Sequence, residues 1–337
     1  MSKKANYTVQ TEFINKLKDA LPQNISLADE LSDLLEVSTD SAYRRIRGET
    51  ALSIDEVVKI CRHYKIPFTP VSEENPNTIT FGIRPLNSDT KAFENYLTDL
   101  RNDLKKIGSF EGAQIIYAAE DIPVFHHFCF DELSAFKYFY WNKEILNAPF
   151  TDGKKFDMAL IPKEWIKTGH EIIELYNKVP SIEIWTDDTI NGTLKQVEFF
   201  WESGLFKNKE DALLITGQVE QMIKHMERQA ELKTKFITEN EIPKNKDNYS
   251  LYRSDVTIGN NCILVNLGNI QATYLSYHTL NFMTSSSASF CAQTDQWLKN
   301  LIKKATLISG TSEKYRYQFF KLKFELLEKL REKIKNG

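Results

Sequence analysis

The chain has 337 residues, 42% of them hydrophobic and 26% charged, with a formal net charge of -3. The length predicts two or three domains and the composition a packed core rather than wholesale disorder. The charge excludes a polybasic protein, so any hold on nucleic acid has to come from a local patch. The N-terminal MSKKANYTVQTEF has no apolar run of signal-peptide length, and no stretch of about 18 apolar residues follows it, so no membrane partner is expected. Cys61, Cys129, Cys262 and Cys291 lie far apart with no metal-ligand spacing. That pattern predicts reduced thiols, no bound metal and a cytoplasmic location.

Four helices are predicted before residue 66. Phe13, Leu17, Ala20 and Leu21 recur at helical spacing until Pro22 stops the first. Ser26 is the N-cap of the second, with Asp29 three residues on, and Leu27, Leu31, Leu34 and Leu35 form its apolar face. Val37 is the expected buried residue of a tight turn. Ser38 then caps a third helix over 39–47, which Gly48 ends as a C′ glycine does. Ser53 and Glu56 form a capping box for the fourth, with Ile54, Val57, Val58 and Ile60 facing inward.

The short turn sets the angle between the second and third helices, through a small core of Leu35, Val37, Ala42 and Ile46. Two helices held this way are a helix-turn-helix, whose second helix enters the DNA major groove. Ser38 and Thr39 stand at the helix start, where amides and hydroxyls hold a phosphate. Asp40, Ser41, Arg44 and Arg45 are placed to reach base edges or phosphates, with Arg47 at the far end. Tyr43 either stacks on a sugar or a thymine methyl, or packs under the fourth helix. The competing reading is a protein-interaction bundle: acids balance bases in this segment, and the arginines have Asp29, Asp33 and Asp55 within reach in sequence.

The residues LADELSDLLEVSTDSAYRRIRGE, continued by LSIDEVVKICRHYKI, resemble the DNA-binding domain of phage-repressor-type (lambda-repressor-like) regulators. They are most similar to bacterial helix-turn-helix proteins that join such a domain to a long uncharacterised C-terminal region. Glu36 stands where those proteins usually carry glycine before the turn. The resemblance covers roughly the first 70 residues and implies sequence-specific binding of double-stranded DNA by residues 38–47.

Pro67, Pro70, Pro76, Gly82 and Pro85 interrupt the helical period, so residues 70–88 are predicted as a linker between a domain at 1–69 and one at 89–337. Within it, 78–83 reads as a short strand. Asp89 opens a strongly periodic helix with Phe93, Tyr96, Leu97, Leu100, Leu104 and Ile107 on one face. That face either packs on the C-terminal domain or forms a homodimer seam that spaces two DNA-reading units.

Beyond it, strands are predicted at 113–118, 181–185, 249–252, 262–267 and 272–277, the last three as an antiparallel sheet, with helices at 161–178, 194–201, 211–233, 295–304 and 315–335. The mixed order predicts an α+β fold overall: an all-α N-terminal domain and a larger α+β C-terminal one. The aromatic stretch from Phe125 to Trp141 is either core or the wall of a ligand cavity, with His126 and His127 as its polar groups. Read as strand neighbours, the two histidines point to opposite faces and make a poor metal pair. His170-Glu171 begins a zinc-protease pattern that Glu174 breaks. Asp187 and Asp188 read as metal ligands or, since they follow a strand, as caps of the next helix. Residues 284–289, TSSSAS, read as a loop, or as an anion site aided by Lys303, Lys304, Lys314 and Arg316.

No P-loop, GxGxxG or GxSxG occurs. The expectation is therefore a transcriptional regulator with no catalytic residues and no cofactor. Its C-terminal domain is expected to oligomerise or sense an unidentified small-molecule ligand. The alternatives are an enzyme of unknown reaction and a protein-interaction scaffold, each with an accessory helix-turn-helix.

Overall fold

The computed structural model describes residues 8–20, 26–64, 79–243 and 247–337. The predicted stop at Pro22, and Pro67, Pro70 and Pro76 of the predicted linker, lie outside them. The chain divides into two compact units, Met1–Thr80 and Phe81–Gly337. It is a mixed α+β protein whose N-terminal unit is helical among the described residues.

The first unit contains α1 (Thr8–Ala20), α2 (Leu27–Leu35), α3 (Thr39–Ile46) and α4 (Ile54–Tyr64). Its core is Phe13, Ile14, Leu17, Leu27, Leu31, Ala42 and Ile60, with Leu35, Val37 and Ile46 packed against it. Ser26 Oγ accepts from Asp29 N at 3.4 Å, starting α2. The box at α4 is reciprocal: Glu56 N donates to Ser53 Oγ (3.1 Å) and Ser53 N to Glu56 Oε2 (2.7 Å). The expected inward face of α4 is corrected. Ile54 is 82% exposed and Val58 also faces outward, whereas Val57, Ile60, Cys61 and Tyr64 contact the core. At about 100° per residue the buried stripe is centred on 57, 60, 61 and 64, and 54 and 58 fall about a quarter-turn away, at its solvent edge.

The second unit is built on β1 (Gly82–Ile83), β2 (Gln114–Ala119), β3 (Ser181–Trp185), β4 (Tyr249–Arg253), β5 (Cys262–Leu267), β6 (Ile270–Tyr277), β7 (Asn281–Ser285) and β8 (Thr306–Leu307). They form one sheet in the order β1-β7-β6-β5-β2-β3-β4-β8. β2, β3 and β4 are mutually parallel, and every other pairing is antiparallel. The expected antiparallel grouping of 249–252 with 262–267 and 272–277 is thus corrected: β4 lies beside β3, in parallel, and β8, antiparallel, with β2 and β3 between it and β5. The chain between β3 and β4 includes α8 (Asn191–Glu202) and α9 (Lys209–Leu232), and such a long helical crossover returns a strand in parallel. β5 and β6 join through Gly268 and Asn269, with only Gly268 at positive φ (71°), as a II′ hairpin requires.

β2 is buried on both faces. Ile115, Tyr117 and Ala119 enter the main core, which also takes in α5 (Thr90–Gly108), α6 (Asp131–Tyr140), α7 (Lys163–Lys178), α8, α9 and α11 (Glu313–Asn336). Ile116 and Ala118 join a smaller core with Leu298 and Leu301 of α10 (Ala288–Lys304). This two-sided burial is why 114–119 is almost continuously apolar rather than alternating.

The face of α5 is resolved by packing. Phe93, Tyr96, Leu97, Leu104 and Ile107 are buried in the main core, so that face offers no dimer seam. The aromatic stretch is helical, a 3₁₀ segment Val124–Cys129, then α6, then one π turn Trp141–Ile145, so His126 and His127 are not strand neighbours. Most of its rings are core. Phe136 lies 5.2 Å from Phe200 and 5.6 Å from Phe206 between centroids, edge-on and stacked respectively. The TSSSAS run is not a free loop, since Thr284 and Ser285 end β7 and Ala288 begins α10.

Candidate functional site

α3 turns Ala42 and Ile46 toward the bundle and leaves Thr39, Asp40, Tyr43 and Arg44 exposed. Tyr43 is 47% exposed, which removes the reading that packs it under α4. Arg44 makes no side-chain hydrogen bond or ion pair among the described residues. Ser38 is exposed but engaged: its Oγ accepts from Ser41 N at 3.3 Å, as an N-cap.

Arg45 is placed differently from the expectation. Its Nε and Nη2 both donate to Glu56 Oε1, at 3.1 and 2.8 Å, and Nη1 donates to Ser41 Oγ. The Arg45 side chain is only 14% exposed, and its guanidinium ties α3 to the capping box of α4. Burial raises the Glu56 pKa, but the hydrogen bonds from Arg45 and the Ser53 amide outweigh it and hold the carboxyl below its ordinary value. Arg47, at the helix C-cap, faces Glu49 through two contacts of 3.0 and 3.1 Å in open solvent. The acids that answer these arginines are therefore Glu56 and Glu49, not Asp29, Asp33 or Asp55. With these two pairs closed, Arg44 and Asp40 are the charged side chains on the outer face of α3 that make no hydrogen bond or ion pair among the described residues.

Two groups position α3, and only the second, Glu36, had a signal in the sequence. Gln10 on α1 donates to the carbonyls of Arg45 (2.7 Å) and Thr50 (2.8 Å) and accepts from Leu52 N (2.8 Å), clamping the α3–α4 loop. A single glutamine on a helix carries no signal of such a role. Glu36 adopts the left-handed conformation (φ 56°), with its amide and that of Val37 directed to the carbonyls of Asp33 and Ser32. This is the geometry a glycine would provide.

The polar residues flagged in the second unit are scattered. His126 Nε2 bonds Glu183 Oε1 at 2.9 Å, whereas His127 Nε2 bonds Thr193 Oγ1 at 3.0 Å. Glu183 also accepts from Tyr176 (2.5 Å), Trp185 (3.0 Å) and Tyr249 (3.1 Å), so it is the centre of a buried network. His170 pairs with Asp131 at the surface. Asp187 does not cap a helix but binds Arg253, and Asp188 accepts from the Asn191 side chain. Arg316 is buried and donates to the carbonyls of Ile308 and Gly310, so it cannot serve the proposed anion loop. No group of three or more His, Cys, Asp or Glu suited to a metal occurs among the described residues, and no described helix is long and apolar enough to cross a membrane.

No family model, curated protein or solved structure matches the chain.

Proposed function

We propose that the chain is a non-enzymatic, sequence-specific DNA-binding regulator of transcription. In this reading α2 and α3 form the helix-turn-helix, α3 enters the major groove, and the second unit oligomerises or responds to a ligand. The observation that carries the reading is the outward Tyr43–Arg44 pair on a helix whose other side is fixed by Ala42, Ile46, Arg45 and Gln10. A rigid helix with one unpaired arginine and exposed hydroxyls at its N-terminus suits base and phosphate contacts. Arg45 now belongs to the scaffold that aims the helix rather than to the groups that read bases.

A second reading has its own support. The outer face of α3 is close to neutral once Arg45 and Arg47 are paired, and this suits a protein partner better than a polyanion.

Genomic pull-down sequencing followed by gel shift on a recovered site distinguishes them. DNA binding predicts enrichment of a defined sequence and a loss of about tenfold or more in affinity for Arg44→Ala, with unchanged melting. So few phosphate contacts per unit also predict a shallow salt slope, about -0.9 for each phosphate neutralised. Unchanged affinity in Arg44→Ala, or recovery of no sequence, would reject DNA reading by α3.

A further inference from the structure

A cavity of about 380 Å³ opens at the C-terminal end of β2, wholly within the second unit. We infer that it binds a small uncharged polyhydroxylated molecule, a sugar or sugar-like polyol, with one hydroxyl seated between Lys137 Nζ and Asp121 Oδ2. The inference concerns the second unit alone and stands whether or not α3 reads DNA.

The spacing of the two charges is the first argument. Lys137 Nζ and Asp121 Oδ2 lie 3.9 Å apart, beyond hydrogen-bond range. An oxygen about 2.8 Å from each fits that gap, accepting from the ammonium and donating to the carboxylate. Only a group that both donates and accepts can do this. Lys137 is fixed for the purpose: it is 1% exposed, and it donates to Gln196 Oε1 (2.8 Å) and more weakly to Thr193 Oγ1 (3.4 Å). An ammonium has three donors, so one is left over. Asp121 is fixed too. Its Oδ1 accepts from Ile122 N at 2.9 Å, and the carboxylate sits so close to α8 that a Cβ on Gly192 would come within 2.8 Å of Oδ2.

Charge selects among ligand classes. The carboxylates lining the cavity are Glu120 and Asp121, and its ammonium is Lys137. Burial, then the neighbouring Lys137, drives the His127 pKa well below its ordinary value, so this ring adds no positive charge. A phosphate or carboxylate ligand would meet net negative charge, and an ammonium seated between Lys137 and Asp121 would lie against the Lys137 ammonium with no lone pair to accept from it. A neutral hydroxyl meets neither penalty.

The remaining lining suits the same class. The Tyr117 hydroxyl, on a ring 2% exposed, makes no hydrogen bond among the described residues and is open to a ligand hydroxyl. Tyr96, Trp141 and Phe282 supply apolar wall for the C–H face of a sugar ring. At the rim, His278 and Thr279 hold left-handed backbone (φ 47° and 65°), which non-glycine residues keep only where the surroundings enforce it.

The test is calorimetric titration of the full chain, at neutral pH, with neutral hexoses and pentoses, with their phosphates, and with amino sugars. Saturable binding of at least one neutral sugar is expected, and about a tenfold or greater weakening in Lys137→Met. Because Lys137 is buried and its removal could disturb folding, Gly259→Trp is the second variant. Gly259 lines the mouth, and a Cβ there meets nothing within 4 Å, so the indole plugs the opening while melting stays at the wild-type value. Weakened binding in a normally melting Gly259→Trp supports the site. Absence of any neutral-sugar binding, tighter binding of the phosphates or amino sugars, or unchanged binding in Gly259→Trp overturns it.

Discussion

Arg44 and Arg45 are adjacent in sequence, yet successive residues of a helix are rotated by about 100°, so one faces solvent and the other faces α4. Arg45 and Glu56 join two helices that otherwise share a small core, and Glu56 at the same time closes the N-terminus of α4. Arg45→Ala is expected to destabilise the first unit by about 1–2 kcal/mol, measured by denaturant melting of that unit. The linkage has a definite sign. A carboxyl whose folded pKa is lowered contributes its stability above the unfolded value and loses it as pH falls through the folded one. Acid should therefore weaken the wild-type bundle more than it weakens Glu56→Gln, and parallel pH–stability curves for the two would reject the linkage. Legibility at this scale was partial. That arginines cluster on the third helix could be read from the chain, whereas which of them stays free depended on where Glu56 and Glu49 come to lie.

Elements divide into those set by local pattern and those set by neighbours. The caps at Ser26, Ser38 and Ser53 were legible because a side chain three residues from its amide makes the contact locally. The turn between α2 and α3 is local as well. Glu36 carries a left-handed conformation there that costs a non-glycine residue about 1 kcal/mol or more. Glu36→Gly is expected to raise the stability of the first unit by about 0.5–1 kcal/mol, since the exposed pair with Lys59 contributes little. A fall in the melting midpoint would show that the side chain holds the turn in some other way. Neighbours decided the rest. The partners of β4 differ from the expected ones, β3 and β8 in place of β5, because hairpin spacing and crossover spacing look alike in a list of strands. His126 and His127, taken as strand neighbours, stand in a 3₁₀ segment, because the dense rings around them hide the helical period.

For the molecule as a whole, the second unit is organised around a buried acid. Glu183 receives donors from His126, Tyr176, Trp185 and Tyr249, and the Lys235 ammonium lies beside it, 3.8 Å over the Tyr176 ring and bonded to the carbonyl of Tyr176 at 2.7 Å. Burial pushes the Glu183 pKa up, but the His126 charge and hydrogen bond, the Tyr176 hydroxyl and Lys235 together bring it below the ordinary carboxyl value. Glu183→Gln turns an amide donor toward groups that already donate, and should cost about 3 kcal/mol or more in urea unfolding of this unit. Its lowered pKa means the contribution is whole at neutral pH and disappears as pH falls through the folded value. The variant should therefore show a flatter acid limb, and one as steep as the wild type would reject this assignment.

The amino-acid sequence by itself determined the α+β class, the helices of the first unit, their caps and most strands of the second. These follow from contacts within a few residues and from apolar periodicity, and both are written along the chain. Only the tertiary structure decided which arginine is free, which strands flank β4, that α5 is core, and that Lys137 faces Asp121 across an open gap. Those facts join residues far apart in sequence, and no local pattern constrains the distance between two side chains until the backbone between them has folded.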